Sequence, residues 1–189
     1  MPELNTASLD KMVTDFFVGG RKQSLSVLAN PFSVDDLIHA FENLRRSMLR
    51  LLNRLIEPQI NFSPDASTYS LSEIVSHLVA AQGLTYNAFL DIASSTLPHV
   101  DPVPRAPGGG AEKGLNGQLL QDRLQKATND LIGVLRITYN PSVEKEVMHP
   151  LFGSLTLRGW MLFQLAHDLD HLKQAQTVRR AAAFPTKRE

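Results

Sequence analysis

The sequence predicts an all-α fold, a four-helix bundle, on three observations. Four long stretches repeat apolar residues at the 3.6-residue helical period, strand-like alternation is scarce, and segments rich in Pro and Gly separate the stretches. The 189 residues, 43% of them apolar, suffice for one domain with a core of its own.

Residues 1–32 hold a helical pattern over 9–18, interrupted by Gly19-Gly20 and Asn30-Pro31. This N-terminal arm is expected to pack on the bundle or to serve in assembly. The first bundle helix is predicted over 34–57: Leu37, Phe41, Leu44, Met48, Leu51 and Leu55 share one face, Ser33 and Asp36 cap its start, and Pro58 ends it. The second, over 71–94, opens with a capping box in which Ser70 takes the amide of Glu73 while the Glu73 carboxylate reaches back. The third covers 117–139, with Leu120, Leu124, Leu131 and Leu135 in phase, and Asn140-Pro141 closes it. The fourth, over 156–182, is apolar around most of its circumference, the mark of a central helix. The bundle thus spans 33–182, and 183–189 form a C-terminal tail.

Between helices two and three, residues 97–117 hold four of the eleven prolines and five of the eleven glycines, which forbids helix. At about 3.3 Å per residue this link outreaches a bundle helix of roughly 30 Å. Helices two and three are therefore predicted to run parallel, joined by one long crossover that serves as lid or linker.

Charge and cysteine content exclude several functions. Nineteen Lys+Arg balance nineteen Asp+Glu, so the electrostatic attraction that draws proteins to nucleic acid or anionic membrane is missing, and neither is expected as a direct partner. Arg45, Arg46 and Arg50 form the main basic cluster. Without cysteine there are no disulfides, Cys-type zinc sites, iron–sulfur clusters or thiol nucleophile; a metal would need His, Asp or Glu. No secretory apolar core or spanning segment is visible, and a cytoplasmic location is expected.

Of the six histidines, His167 and His171 stand i, i+4 in helix four, so their rings lie on one face and two imidazole nitrogens can meet one cation. Gln164, His167, His171 and Gln174 make a polar stripe on an otherwise apolar helix. Buried, such a stripe must be paired, hydrated or metal-bound. His77, in the second turn of helix two among Ile74, Val75 and Leu78, is available as a third ligand. Three histidines leave a divalent cation open to water or substrate, the pattern of a catalytic site. A di-iron centre needs Glu-x-x-His on two helices, which this chain does not supply. A zincin-like centre needs Glu where Asp168 stands. His149, before Pro150, is expected to be a solvent-exposed loop residue, and Gln174 to orient a ligand imidazole. Tyr86, Arg158 and Trp160 are assigned to packing and surface charge.

Three segments in order carry a resemblance: Tyr69-Ser70-Leu71-Ser72-Glu73 through His77, His149-Pro150-Leu151-Phe152-Gly153, and His167-Asp168 through His171 and Gln174. Over about residues 34–182 the chain resembles the DinB-like superfamily of metal-binding four-helix proteins, and its DinB_2 branch most closely. It departs from that pattern at Tyr69, where Trp is usual, and at Asp170, where a second His is frequent. The resemblance implies a DinB/YfiT-like bundle, a divalent cation (zinc, nickel or iron) on His77, His167 and His171, and a homodimer. It also implies, for some members, transfer or isomerisation chemistry on low-molecular-weight thiols such as bacillithiol or mycothiol.

Three readings follow. A dication on three neutral imidazoles activates a small-molecule thiol or water, making the protein a metal-dependent thiol transferase or hydrolase. Alternatively the triad only stabilises a non-catalytic stress-response or metal-binding module. In the third, the histidines share a metal-free hydrogen-bond network with Gln174.

Overall fold

The computed structural model describes residues 4–20, 23–94, 112–139 and 145–186, with the side chains of 91–94 left out. Most of the predicted crossover, the Asn140-Pro141 stop and the end of the tail lie outside these residues. Four long helices make the bundle: α3 (Val34–Leu52), α5 (Leu71–Ser94), α6 (Gly117–Thr138) and α7 (Leu157–Arg180). Two short helices, α1 (Thr6–Val18) and α2 (Leu25–Ala29), precede it, α4 (Glu57–Ile60) follows α3, and β1 (Glu146–His149) and β2 (Gly153–Thr156) precede α7.

Local chemistry sets the helix starts. The Ser33 Oγ accepts from the Asp36 amide at 3.1 Å and the Asp36 carboxylate accepts from the Ser33 amide at 2.9 Å. At α5 the amide of Glu73 reaches Ser70 Oγ at 3.2 Å and the Ser70 amide reaches Glu73 Oε2 at 2.9 Å. The first helix stops at Leu52 rather than at 57: Asn53 leaves the helix, Arg54 turns left-handed (φ 59°), and Pro58 starts the short α4 instead of ending α3. Proline is suited to a first turn, where no amide is needed.

Cross-helix bonds fix the directions. Arg158 Nη1 donates to the carbonyls of Asn30 and Phe32, Arg45 meets Asp168, and Arg179 Nη1 reaches Leu51 O, so α3 and α7 run parallel. Thr85 pairs with Gln164 and His77 with His167, which makes α5 antiparallel to α7. Ser76 Oγ takes the Glu112 amide and Gln82 donates to Ala127 O, so α5 and α6 are parallel, as the crossover required. A chain leaving the end of the 24-residue α5 must return about 36 Å before α6 can begin.

The hairpin is a feature that the sequence did not predict. Val147 pairs with Leu155 and His149 with Gly153, whose φ of 75° closes the turn. Val147 and Leu155 face inward beside Trp160, whose indole N–H donates to Val147 O at 3.2 Å. Residues of α1 and α2 pack on α7 through buried Leu9, Phe16, Leu25 and Ala29. Gly159 permits the closest approach: a Cβ there would stand 2.7 Å from Ser26 Oγ and 3.0 Å from Ser26 N.

Candidate metal centre

His77, from the second turn of α5, meets His167 and His171, one turn apart on α7, with one ligand nitrogen of each ring within 4.8 Å of the others. The Nε2 atoms of His77 and His167 lie 3.3 Å apart, and those of His167 and His171 3.2 Å. Two nitrogens held about 2.05 Å from one ion at a tetrahedral angle stand about 3.3 Å apart. These two separations are those of nitrogens that share a single divalent cation, and the third ligand nitrogen pair lies within 4.8 Å.

Gln174 and Asp170 set the chemistry of His171. A carboxylate only accepts, so Gln174 Nε2 is the atom that donates to Asp170 Oδ2, at 2.7 Å. Its Oε1 is then left to accept from His171 Nδ1, at 3.0 Å. This assigns the proton to Nδ1 and the lone pair to Nε2, which faces the other rings. His167 Nδ1 is buried without a hydrogen-bond partner. Burial, reinforced by His171, His77 and Arg45, pushes the His167 imidazole down to about 3. Burial and His77 also lower His171. Both rings are therefore neutral at pH 7 and ready to act as ligands.

A family model described as the DinB superfamily matches residues 40–175, more than half of the chain. The chain belongs to the DinB superfamily. Among solved structures it is similar to YfiT from Bacillus subtilis, described as a probable metal-dependent hydrolase with an unusual four-helix bundle topology. The two are 15% identical, the match covers 82% of this chain and 91% of that one, and the TM-score is 0.64, a likeness of fold. No curated protein matches the sequence.

In this DinB protein Asp168, between the two histidines in sequence, faces away from them. It is buried against Arg45, with Arg45 Nε 2.6 Å from Oδ2, Nη2 3.1 Å from Oδ1, and Gln164 Nε2 donating to Oδ1 at 2.8 Å. Burial raises the Asp168 pKa against the opposing pull of Arg45 and Gln164. A carboxylate committed to a guanidinium is no general base for the site. Gln164, read from sequence as part of the histidine stripe, belongs to this second network and accepts from Thr85 Oγ1 at 2.8 Å. Arg45, read as one of a basic cluster, is almost wholly buried.

His149 also differs from expectation, being 4% exposed. Its ring sits between Phe163, Trp160 and Phe152, at centroid distances of 4.3, 4.5 and 4.9 Å, and Nδ1 accepts from the Leu151 amide at 3.0 Å. In the His-Pro-x-x-Gly segment the histidine thus pins the hairpin turn. Glu146 and His149, the only Glu-x-x-His of the chain, lie on β1, where Glu146 accepts from Ser154. Trp160 is core and Arg158 ties α7 to the segment before α3, while Tyr86 lines a groove between α5 and α6. His39 is exposed, and His99 lies outside the described residues.

Burial lowers the His149 pKa from 6.5 to about 4. The unfolded chain therefore binds the extra proton first, and the stability gained from a neutral His149, present above pH 6.5, drains away as pH falls toward 4. Urea titrations of metal-loaded protein from pH 7 to 4 are expected to show this loss, on the order of 2 kcal/mol from this residue. His149→Phe flattens the profile by that amount; an unchanged profile would contradict a buried neutral imidazole.

Proposed function

We propose that the protein is a metal-dependent enzyme in which His77, His167 and His171 hold zinc, nickel or iron, with a low-molecular-weight thiol as the preferred substrate and thiol transfer as the preferred reaction. The observation that carries this reading is the approach of His77 Nε2 and His171 Nε2 to His167 Nε2, at 3.3 and 3.2 Å, with His171 held in the ligating tautomer by Gln174. When bound, a dication on neutral imidazoles supplies the charge that makes a thiol a thiolate or brings a water's pKa toward about 7. The chain's own part is to fix the three rings and, by burial, to keep His167 and His171 neutral.

A groove of about 450 Å³ lined by Tyr69, Ile74, Lys173, Gln174 and the hydroxyl residues Ser67, Thr68 and Thr177 lies behind the rings, where Gln174 meets His171 Nδ1. Tyr69 borders the site, its ring 6.5 Å from that of His77. Hydrolysis is the second reading, favoured by the description of the fold neighbour YfiT as a probable metal-dependent hydrolase. No described helix is long and apolar enough to cross a membrane, and we assign the protein to the cytoplasm, without a nucleic-acid partner. Exposed Phe17, Val18, Met148 and Leu151 support a homodimer.

The test is metal analysis of protein purified without chelator, followed by titration of the loaded form with small thiols. About one ion per chain and saturable thiol binding at the metal are expected. A stoichiometric ion with no thiol binding would leave hydrolysis or a structural metal, and no ion would refute the reading.

A further inference from the structure

Of the three histidines His171 is buried, whereas His77 and His167 are only half-buried, so the centre meets solvent at those two rings. Phe163 adjoins the second of them. It stands one turn before His167 on α7, as His171 stands one turn after it, which puts all three rings on one helix face. The centroids of the Phe163 and His167 rings are 5.8 Å apart and their planes are inclined by 34°. Phe163 is itself half-buried, so part of its ring reaches solvent beside a ligand. Phe152, brought by the turn between β1 and β2, is half-buried as well and extends this surface, 5.5 Å from Phe163. His149, at 4.9 Å from Phe152 and 4.3 Å from Phe163, braces both rings from within. Phe17 of α1, 6.2 Å from Phe152 and 48% exposed, ends the row at the surface.

We propose that Phe163 and Phe152 are specificity residues for an apolar arm of the substrate. The inference rests on the proposed metal site and adds the substrate's chemical class: a small molecule with a metal-seeking head and an alkyl or aryl group a few bonds away. Along α7 the opposite direction from the histidines leads to Gln174 and Asp170, polar and hydrogen-bonded to each other. An apolar arm therefore has one favourable direction, toward Phe163, where it leaves water against aromatic faces. Apolar walls around a few placed polar groups are the usual make-up of a small-molecule site. The hairpin gains a role from this arrangement, since its turn delivers Phe152 to the wall.

The test uses cobalt(II)-loaded full-length protein titrated with acetohydroxamate and with hexanohydroxamate, followed by the visible absorption of the metal. Both probes bind a metal through the same two oxygens, so the ratio of their affinities isolates the arm, whether the reaction is thiol transfer or hydrolysis. Wild type is expected to bind the longer probe at least about tenfold more tightly, because its added methylenes are buried on the wall. Phe163→Ala should lower the ratio to under about threefold, while Phe163→Leu, which keeps most of the apolar area, should hold it above about fivefold. Phe152→Ala, outside the helix, should lower it by a smaller factor and serves where Phe163→Ala does not fold. A ratio near one in wild type, or an unchanged ratio in either folded alanine variant, overturns this inference and leaves the metal site standing. Spectra that neither probe alters refute an open metal position and remove this inference with it.

Discussion

His171→Ala protein purified without chelator is expected to carry less than about a tenth of the metal that wild type carries, close to one ion per chain. The variant removes one of three imidazoles and leaves the Gln174 Oε1 acceptor without its donor. Two histidines, His77 and His167, remain as ligands, and His167 has no outer partner on Nδ1 to hold its ring. The helix tolerates the change, because Ala is the best helix former. Gln174→Ala separates orientation from ligation. All three rings stay, but the tautomer of His171 is no longer imposed, and affinity in competition with a chromophoric chelator should fall about 10- to 100-fold. Asp170→Asn should cost less, since an amide oxygen still accepts from Gln174. Because the ion binds only the folded chain, its removal from wild type should lower the melting temperature, and removal from His171→Ala should not. Full metal content in His171→Ala would show that these rings are not the ligands.

Much of this architecture was legible in the sequence because local chemistry decides it. The start of α5 follows from the Ser70–Glu73 capping box, and the pairing of His167 with His171 follows from helical periodicity. The joining of His77 to them needed only that α5 pack on α7. What escaped was decided by distant partners or by short elements. Two four-residue strands offer too little alternation to stand out. His149 looks like a loop histidine beside Pro150, and only the aromatic rings of Phe163 and Trp160, delivered by α7, bury it. Arg45 looks like a member of a surface cluster because its carboxylate lies 123 positions away.

That long-range pair carries the largest expected effect on stability. Arg45 and Asp168 are 2% and 3% exposed, far below the level at which water can replace a lost partner. Asp168→Ala leaves a guanidinium buried in the bundle with no counter-charge, at a cost of about 3–5 kcal/mol in urea denaturation. Arg45→Met strands a carboxylate that still has the Gln164 amide as donor, and should cost somewhat less. The double variant Arg45→Met with Asp168→Leu has no charge to strand, so a large part of the loss should return, with a coupling energy of about 2 kcal/mol or more. The pair also bears on the metal. Arg45 stands close enough to the site to depress His167 and His171 electrostatically, and Asp168 neutralises it. Asp168→Ala therefore puts an unbalanced positive charge beneath a centre that receives a dication, and metal affinity should fall although no ligand has changed. Arg45→Met/Asp168→Leu should restore affinity along with stability. If each single variant costs under about 1 kcal/mol, the pair behaves as an exposed one does, and its role in holding α7 to α3 beneath the histidines is wrong.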